Sequence, residues 1–255
     1  KNSKGRAIQN LINIEQDDRV KAFICTQDLK DEDYVNSNYV IMATKLGQVK
    51  KTSLEQYSRP RSNGINAITI KDGDELLEAK LTNGNSQIML AVQSGKAIRF
   101  EESKTRPMGR NASGVRGIRL KDKKDEVVGM ISVNDMDANI LVVSENGFGK
   151  RSSLEDYRLT NRGGKGVKTI SITEKTGKLV SLKSVSDNDD LMIINKSGIA
   201  IRMQVEDLRV MGRATQGVKV ISLKDGDSIA AVAKVMKDDD DLEDVNEIEF
   251  TGDTV

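Results

Sequence analysis

The chain has 255 residues, with 40 Lys and Arg against 39 Asp and Glu, no histidine, no tryptophan and one cysteine. Without histidine it cannot hold a Ser-His-Asp or Cys-His nucleophilic site or a histidine-ligated zinc ion. The lone Cys25 cannot form an internal disulfide, and every apolar run is far shorter than the roughly 20 residues that a membrane-spanning helix needs. These features predict a soluble protein of a reducing, cytoplasmic compartment.

The balanced total charge hides two oppositely charged parts. Residues 238–255 contain nine acidic and no basic side chains, which leaves residues 1–237 with 40 basic and 30 acidic ones, a net charge of +10. A basic body with an acidic C-terminal tail is typical of a domain that binds a polyanion and carries its own competitor. A tail that only aids solubility is the alternative.

Two series of glycines reveal an internal repeat. The first series, followed by alternating apolar residues, has spacings of 50, 52 and 51 residues, and the second has spacings of 48, 52 and 51. The first series is Gly64, Gly114, Gly166 and Gly217, and the second is Gly47, Gly95, Gly147 and Gly198. We divide the chain into five copies, the first and last incomplete, at 1–57, 58–105, 106–157, 158–208 and 209–237, followed by the tail 238–255.

Each copy has the pattern of short strands separated by turns. Apolar runs such as Ile88–Val92 and Asn139–Val143 lie between turn sequences such as Asn83–Asn85. Only 53–56, 153–156 and 205–208 look helical, and each is about one turn long. With about four strands per copy and no crossover helix, the sequence predicts an all-β, propeller-like domain of about 50-residue blades, five to six in number.

Basic residues recur at fixed places in the copies. Arginines lie eight and four residues before the first-series glycine and a cation lies two after it, except around Gly64, where Arg59 and Arg61 take their place. The strands that follow the second-series glycine carry further cations. The candidates are Arg106, Arg158, Arg209, Arg110, Arg162, Arg213, Arg116, Lys168, Lys219, Arg59, Arg61, Lys50, Lys51, Arg99, Lys150, Arg151 and Arg202.

Core packing gives no reason to repeat cations at one place in every copy. We therefore predict a continuous basic track that binds phosphates, with small residues beside the cations that let backbone amides approach phosphate oxygens. The alternative is a polar rim whose arginines pair with neighbouring acids such as Glu55, Glu155 and Glu206.

The few aromatic residues favour a duplex over a single strand, because single-strand binders need exposed stacking platforms. Phe23, Phe100 and Phe148 lie in or beside apolar runs, where burial is expected, while Tyr57 and Tyr157 occupy one repeated position. No recognition helix is visible. The pattern predicts non-sequence-specific binding and bending of duplex DNA; a propeller-like module that binds an acidic protein is the alternative.

Five segments together carry a resemblance to a known family. They are Lys4–Leu11, Gly47–Thr52, Met108–Ile118, Gly149–Ser152 and Met211–Val218. They resemble the C-terminal domain of the DNA gyrase A protein and the related domain of the topoisomerase IV A protein. The resemblance covers essentially the whole chain, and it implies a six-bladed β-pinwheel, with strands exchanged between blades, that wraps duplex DNA around its basic perimeter.

The same resemblance implies a non-catalytic part of an ATP-dependent type II topoisomerase that introduces negative supercoils. The DNA-cleaving tyrosine and the ATP and Mg²⁺ sites are then expected outside this chain, and no cofactor or metal within it. The implied partners are double-stranded DNA, the remainder of the gyrase A protein and the gyrase B protein, which together form an A2B2 heterotetramer. The implied location is the bacterial nucleoid in the cytoplasm, with no membrane.

One family motif is present only in part. The gyrase box is Q-R-R-G-G-K-G in the first blade, whereas 160–166 in the fourth copy matches only its second half. The resemblance adds the matching residues as DNA-binding candidates: Arg162, Gly163, Gly164, Lys165 and Gly166. We expect a true box, if the parent chain has one, upstream of Lys1, and the topoisomerase IV domain remains the alternative.

Overall fold

The computed structural model describes residues 18–236, and these residues form β-sheets with little helix. The strands are β1 Tyr39–Thr44, β2 Gln48–Ser53, β3 Leu76–Thr82, β4 Gln87–Val92, β5 Lys96–Glu101, β6 Val115–Arg116, β7 Val127–Val133, β8 Asn139–Ser144, β9 Phe148–Ser153, β10 Val167–Lys168, β11 Leu179–Val185, β12 Asp189–Asn195, β13 Ala200–Gln204, β14 Val218–Lys219 and β15 Ile229–Met236. One α-helix, α1 Glu32–Ser37, and 3-10 turns at Leu54–Tyr57, Glu102–Lys104 and Leu154–Asp156 complete the secondary structure of this range. The prediction of an all-β fold is confirmed.

Tight hairpins are the building unit of every sheet. The pairs β1–β2, β4–β5, β8–β9 and β12–β13 are antiparallel, and each turn contains a second-series glycine with positive φ. Glycine adopts this left-handed conformation without the steric cost that a Cβ brings. The apolar runs between the turns become strands such as β4 and β8, which are buried on both faces.

Each sheet gathers strands from distant parts of the chain. The strand orders are β3-β1-β2-β6, β10-β5-β4-β7, β11-β8-β9-β14 and β13-β12-β15. In the first three sheets a hairpin gains a long strand from the following copy on one side and a two-residue strand from the copy after that on the other. The strands are therefore exchanged between neighbouring sheets, as the resemblance implies.

The packing order defines an inner and an outer edge for each sheet. Strand β7 packs beside β3 and β11, and β11 packs beside β15, so the long third strands lie next to one another on the inside. The two-residue strands β6, β10 and β14 lie at the opposite, outer edge.

Apolar clusters fill the spaces between neighbouring sheets. One cluster joins Ile41 and Val49 of the first sheet to Leu90 and Met130 of the second. Equivalent clusters join the second sheet to the third and the third to the fourth. Because each sheet buries its faces against its neighbours, the stack is stabilised copy by copy, as in other repeat proteins.

The sequence copies and the sheets are out of phase. The copy at 106–157 supplies β6 to the first sheet, β7 to the second and the β8–β9 hairpin to the third. Residues 18–236 form four sheets, whereas five to six blades were expected. The copy boundaries remain a prediction, and the acidic tail and the whole first motif of the resemblance, Lys4–Leu11, lie outside the described residues.

The helical expectations hold in two of three places. Turns of 3-10 helix form at Leu54–Tyr57 and Leu154–Asp156, but 205–208 is a hydrogen-bonded turn in which the Leu208 amide donates to the Val205 carbonyl at 3.0 Å.

The first-series glycines offer a test of how tightly the exchanged strand is held. At Gly114, with φ of +89°, a Cβ would lie 2.5 Å from the Val49 carbonyl oxygen of β2. We expect Gly114→Ala to lower the free energy of unfolding by about 3 kcal/mol, measured by urea denaturation, because conformational strain and a backbone clash add up. Gly64 has a φ of +77°, but a Cβ there would meet no atom within 4 Å. Gly64→Ala therefore tests the conformational strain without a clash, and it should lower the free energy of unfolding by about 1 kcal/mol.

Gly109→Ala is the matched control, since Gly109 has neither positive φ nor a neighbour within 4 Å. It should change stability by less than about 0.5 kcal/mol. Equal losses at Gly64 and Gly114 would contradict close packing of the exchanged strand on β2.

Candidate nucleic-acid interface

Three equivalent segments run along the outer edges of the sheets, and we call them the edge loops: 106–116, 158–168 and 209–219. Each begins with a backbone hydrogen bond to the outer hairpin strand, from Met108 to Lys51 at 2.8 Å, and from Met211 to Arg151 at 2.8 Å. The Thr160 amide donates to the carbonyl of residue 99 at 2.9 Å in the same way. Each ends in the two-residue strand β6, β10 or β14, so both ends of every edge loop are fixed to a sheet.

Two buried lysines hold the edge loops from beneath. The Lys150 Nζ donates to the Gly212 carbonyl at 2.6 Å and to Thr215 Oγ1 at 3.1 Å, both in the third edge loop. The Lys50 Nζ donates to the Ala67 and Arg110 carbonyls. Both lysine side chains are fully buried.

Burial changes the acidity of these two ammonium groups. Burial first, and then the nearby Arg110 guanidinium, lowers the pKa of Lys50 to about 8. Burial also lowers the pKa of Lys150 to about 8, although Asp156 opposes this shift. A charged group that leaves water loses hydration, and the carbonyl oxygens replace it only in part.

The cations that follow these lysines on β2 and β9 also contact other groups of the protein. Lys51 Nζ lies 3.2 Å from Glu102 Oε1 and 4.3 Å from the centre of the Tyr39 ring. The Arg151 guanidinium donates to the Leu208 carbonyl and to Asp187.

Two further hairpin cations are only partly enclosed. Arg99 donates through Nε to Gln87 Oε1 at 2.6 Å and through Nη1 to the Leu154 and Tyr157 carbonyls at 2.8 and 3.0 Å. Arg202, which is more exposed, donates through Nε to Asp190 Oδ2 at 2.6 Å.

The structure buries four of the predicted phosphate-binding residues: Lys50, Lys51, Lys150 and Arg151. Their side chains are bonded to loop carbonyls, carboxylates or an aromatic ring, so in this structure they face the protein interior rather than a surface phosphate. Phosphate binding by these four stays a prediction.

A second set of arginines ties each edge loop to the copy before it. Arg162 Nη1 donates to the carbonyl of Arg116 at 3.1 Å, and Arg213 Nη1 donates to the carbonyl of Lys168 at 2.8 Å. Arg110 Nη1 makes the equivalent contact with Asn66 at 3.4 Å. Each accepting carbonyl lies two residues after a first-series glycine, so the repeated arginine is matched by a repeated acceptor.

The box-like segment takes part in the same contacts. The Gly163 amide donates to the Gly117 carbonyl at 2.6 Å, and the Gly164 carbonyl accepts from the Arg119 amide at 2.8 Å. Gly166 has φ of +70°, and a Cβ there would lie 2.5 Å from the Ala97 carbonyl oxygen. The glycines thus allow the backbone of this segment to pack closely against the backbone of neighbouring segments. The Lys165 side chain, in contrast, is exposed.

The remaining candidates form the exposed layer of the interface. They are Arg59, Arg61, Arg106, Arg116, Arg158, Lys165, Lys168, Arg209 and Lys219. Within residues 18–236 none of these nine forms an ion pair, so the alternative in which they pair with Glu55, Glu155 or Glu206 is not seen there. Nine unneutralised cations lie on or beside the edge loops.

The structure also reveals exposed apolar residues that the sequence prediction did not include. Leu159 and Val210 are 45% and 50% exposed, and each directly follows an exposed arginine of an edge loop. The arginine–apolar pair repeated in successive copies is the sequence signal that could have found them.

The aromatic expectations hold with one exception. Phe100, Phe148 and Tyr157 are buried, and Tyr57 is half-buried, whereas Phe23 is 78% exposed. The expected burial of Phe23 is therefore wrong. Residues 18–236 contain no helix long and apolar enough to cross a membrane, and in that range no three acidic or cysteine side chains meet in an arrangement suited to a metal ion.

Comparison with known proteins places these features in a family. The sequence profile described as "DNA gyrase C-terminal domain, beta-propeller" matches residues 38–83, 87–134, 138–186 and 189–236. The chain belongs to the DNA gyrase C-terminal domain family. Each of the four matched stretches starts at or within two residues of a hairpin and ends at or just beyond a long third strand. The family unit is therefore a hairpin with its long third strand rather than one sequence copy.

Individual relatives agree with this assignment. The DNA gyrase A protein of Staphylococcus aureus (strain NCTC 8325 / PS 47) is 44% identical over 255 residues, which is 99% of this chain and 28% of the relative. The chain thus spans little more than a quarter of the length of that relative. The fold is similar to the solved C-terminal domain of DNA topoisomerase IV, with a TM-score of 0.83, 25% identity and coverage of 91% of this chain and 71% of the other. It is also similar to the DNA gyrase A C-terminal domain, with a TM-score of 0.79, 25% identity and coverage of 92% and 76%.

The buried lysines of this gyrase C-terminal domain predict how its stability depends on pH. Because the folded protein releases the Lys50 and Lys150 protons near pH 8, before the unfolded chain does, the free energy of unfolding should rise as the pH increases from 8 toward 10. Below pH 8 both states are protonated and this contribution is flat. Urea denaturation at pH 7.5 and 9.0 measures the rise at pH values where most tyrosine side chains of the unfolded chain, with an ordinary pKa of about 10, are still protonated.

Lys150→Met should reduce that rise, because only Lys50 then contributes. Lys168→Met, at an exposed position of β10, is the control and should leave the rise unchanged. The same pH dependence in Lys150→Met and the unsubstituted chain would show that the Lys150 ammonium is not desolvated.

Proposed function

We propose that this chain binds duplex DNA without sequence specificity along its edge loops and bends it around the outer edges of the sheets. The observation that carries the proposal is the layer of nine exposed cations that form no ion pair within residues 18–236 and recur on successive sheets. Cations that neutralise phosphates release counterions, which drives binding to DNA of any sequence.

The elements of the interface suit the backbone of a duplex. The one α-helix within residues 18–236 has six residues, Glu32–Ser37, and is not a candidate for reading the major groove. Of the aromatic side chains near the edge loops, Tyr157 is buried and Tyr57 is half-buried with its hydroxyl bonded to the Ala67 carbonyl at 3.2 Å. Neither is an open stacking platform for single-stranded bases.

The position of the edge loops favours bending. They lie on the outer edges of consecutive sheets, so one duplex can contact all of them only by following the perimeter. Bending a site of 20–30 base pairs by 40–90° costs about 1–6 kcal/mol, which the added phosphate contacts offset. The ties from Arg162 and Arg213 keep neighbouring edge loops at a fixed separation, so the curvature is set before DNA binds.

The relatives suggest the larger assembly in which the chain acts. We infer that it is the C-terminal domain of the A protein of DNA gyrase, an ATP-dependent type II topoisomerase in the bacterial cytoplasm that introduces negative supercoils. The gyrase B protein and the remainder of the A protein, joined in an A2B2 heterotetramer, then supply the ATP and Mg²⁺ sites and the cleaving tyrosine. The topoisomerase IV A protein is the second candidate because its domain has the same fold, but the 44% identity to gyrase A favours gyrase.

Salt dependence tests the phosphate contacts directly. The variant Arg106→Gln/Arg158→Gln/Arg209→Gln removes one exposed cation from each edge loop. The slope of log affinity against log salt should become about 3 units less steep, since each lost phosphate contact contributes about 0.9. Fluorescence anisotropy with a 40-base-pair duplex between 50 and 200 mM KCl measures it.

The matched control is Lys121→Gln/Lys123→Gln/Lys124→Gln, which makes the same change in charge. These three exposed lysines lie in the turn before the inner strand β7, outside the three edge loops. The control should keep the slope of the unsubstituted chain. Equal slopes for both triple variants would mean that net charge, rather than the edge loops, governs binding.

Bending around the perimeter should also change DNA topology. Ligation of nicked circular DNA in the presence of saturating chain should shift the distribution of topoisomers, because a wrapped path fixes a linking difference. The arginine triple variant should give a smaller shift and the lysine control an unchanged one. An unshifted distribution with the unsubstituted chain, at a concentration where binding is complete, would leave simple binding and remove wrapping.

A further inference from the structure

The edge loops present apolar side chains to the same surface as their cations. Leu159 follows Arg158 and Val210 follows Arg209, and both apolar residues are about half exposed. Pro107 after Arg106 is exposed at the corresponding place, seven residues before the first-series glycine. Single exposed apolar residues are common on protein surfaces, but three at one place in three successive copies, each beside an exposed arginine, form a pattern.

These residues are held rigidly. Leu159 forms an isolated parallel bridge with Arg99, and Val210 forms one with Arg151, and Pro107 is bridged to Lys51 in the same way. The amide of the residue after each is bonded to the outer hairpin strand at 2.8 to 2.9 Å. An apolar side chain on such a fixed backbone loses little conformational freedom on binding, so contact area there contributes efficiently to affinity.

We propose that the arginine–apolar pairs lie along the minor groove of the bound duplex, where the apolar side chain contacts the sugar edges and the arginine contacts the phosphates that border the groove. This inference rests on the proposed function. Phosphates offer nothing to an apolar side chain, and the apolar surface that a duplex presents along its length is chiefly the sugar wall of the minor groove. Proteins that bend DNA place apolar wedges and arginines there together.

The minor groove fits the shape of the edge loops better than the major groove does. The apolar side chains stand on short extended backbone at a sheet edge, and an edge of this kind reaches a sugar wall without entering a deep groove. Reading thymine methyl groups in the major groove needs a helix or a two-stranded ribbon inserted into it.

Isosteric polar variants separate this contact from the phosphate contacts. Leu159→Asn/Val210→Thr keeps shape and charge but removes apolar surface. We expect duplex affinity to fall about tenfold, the shift in linking number to shrink, and the salt slope to stay unchanged. The apolar variant Leu159→Met/Val210→Ile should bind as the unsubstituted chain does.

The control pair is Leu46→Asn/Ile199→Thr. These residues are also exposed and apolar, at 36% and 47%, but they lie in the β1–β2 and β12–β13 hairpin turns and follow no arginine. The control should bind normally. Full affinity in Leu159→Asn/Val210→Thr would overturn the inference; the proposed function would still stand if the arginine triple variant lowered the salt slope.

Competition with groove-binding ligands tests the same inference on the unsubstituted chain, so the result does not depend on whether a variant folds. Netropsin fills the minor groove of A/T-rich duplexes, and methyl green occupies the major groove. Saturating netropsin should weaken binding to an A/T-rich duplex about tenfold, and methyl green should not. Equal effects of the two ligands, or an effect of methyl green alone, would overturn the minor-groove assignment.

Discussion

The architecture depends on one interaction, the addition of a short strand from two copies further along the chain to the outer edge of the hairpin in each of the first three sheets. A hairpin edge carries unpaired amides and carbonyls, and the two-residue strands β6, β10 and β14 satisfy them in three of the four sheets. The approach is close enough that only glycine fits at Gly114 and Gly166, where a Cβ would lie 2.5 Å from a carbonyl oxygen. Because the same segment returns to the inside as the next long strand, the copies at 106–157, 158–208 and 209–237 each connect the outer edge of one sheet to the inner edge of the next.

Because of this strand exchange, cations that look alike in the sequence differ in burial and in the groups that they contact. Lys150 lies under an edge loop and satisfies its carbonyls, and Arg162 spans from one edge loop to the preceding copy. Arg158 and Lys168 stand on the surface of the same segment without an ion pair in the described part of the chain. The buried cations lose hydration and stabilise the loops, whereas the exposed ones keep their full charge available to a polyanion.

An interface built in this way is organised before its ligand arrives. Both ends of each edge loop are hydrogen-bonded to a sheet, and the loops are tied to one another, so little ordering remains for the binding step. In the proposed complex with duplex DNA, phosphate contacts would supply affinity that is insensitive to sequence, and the apolar residues beside the arginines would supply a contact that salt does not screen. The two together suit a surface that holds a stiff duplex along a curved path.

The sequence by itself determined the period, the strand-rich character and the positions of the turns, because glycine and alternating apolar residues encode them locally. It also placed the arginines in register, and the family resemblance followed from the same motifs. Only the tertiary structure decided that the repeat counted along the chain is not one sheet, since β1 pairs with β3 of the next copy and β2 pairs with β6 of the copy after that. It alone distinguished buried Lys50 and Lys150 from exposed Lys168 and Lys219, and showed Phe23 exposed and Leu159 on the surface. The physical reason is that burial is decided by segments of other copies that fold over a side chain, and a local pattern of residues contains no record of them.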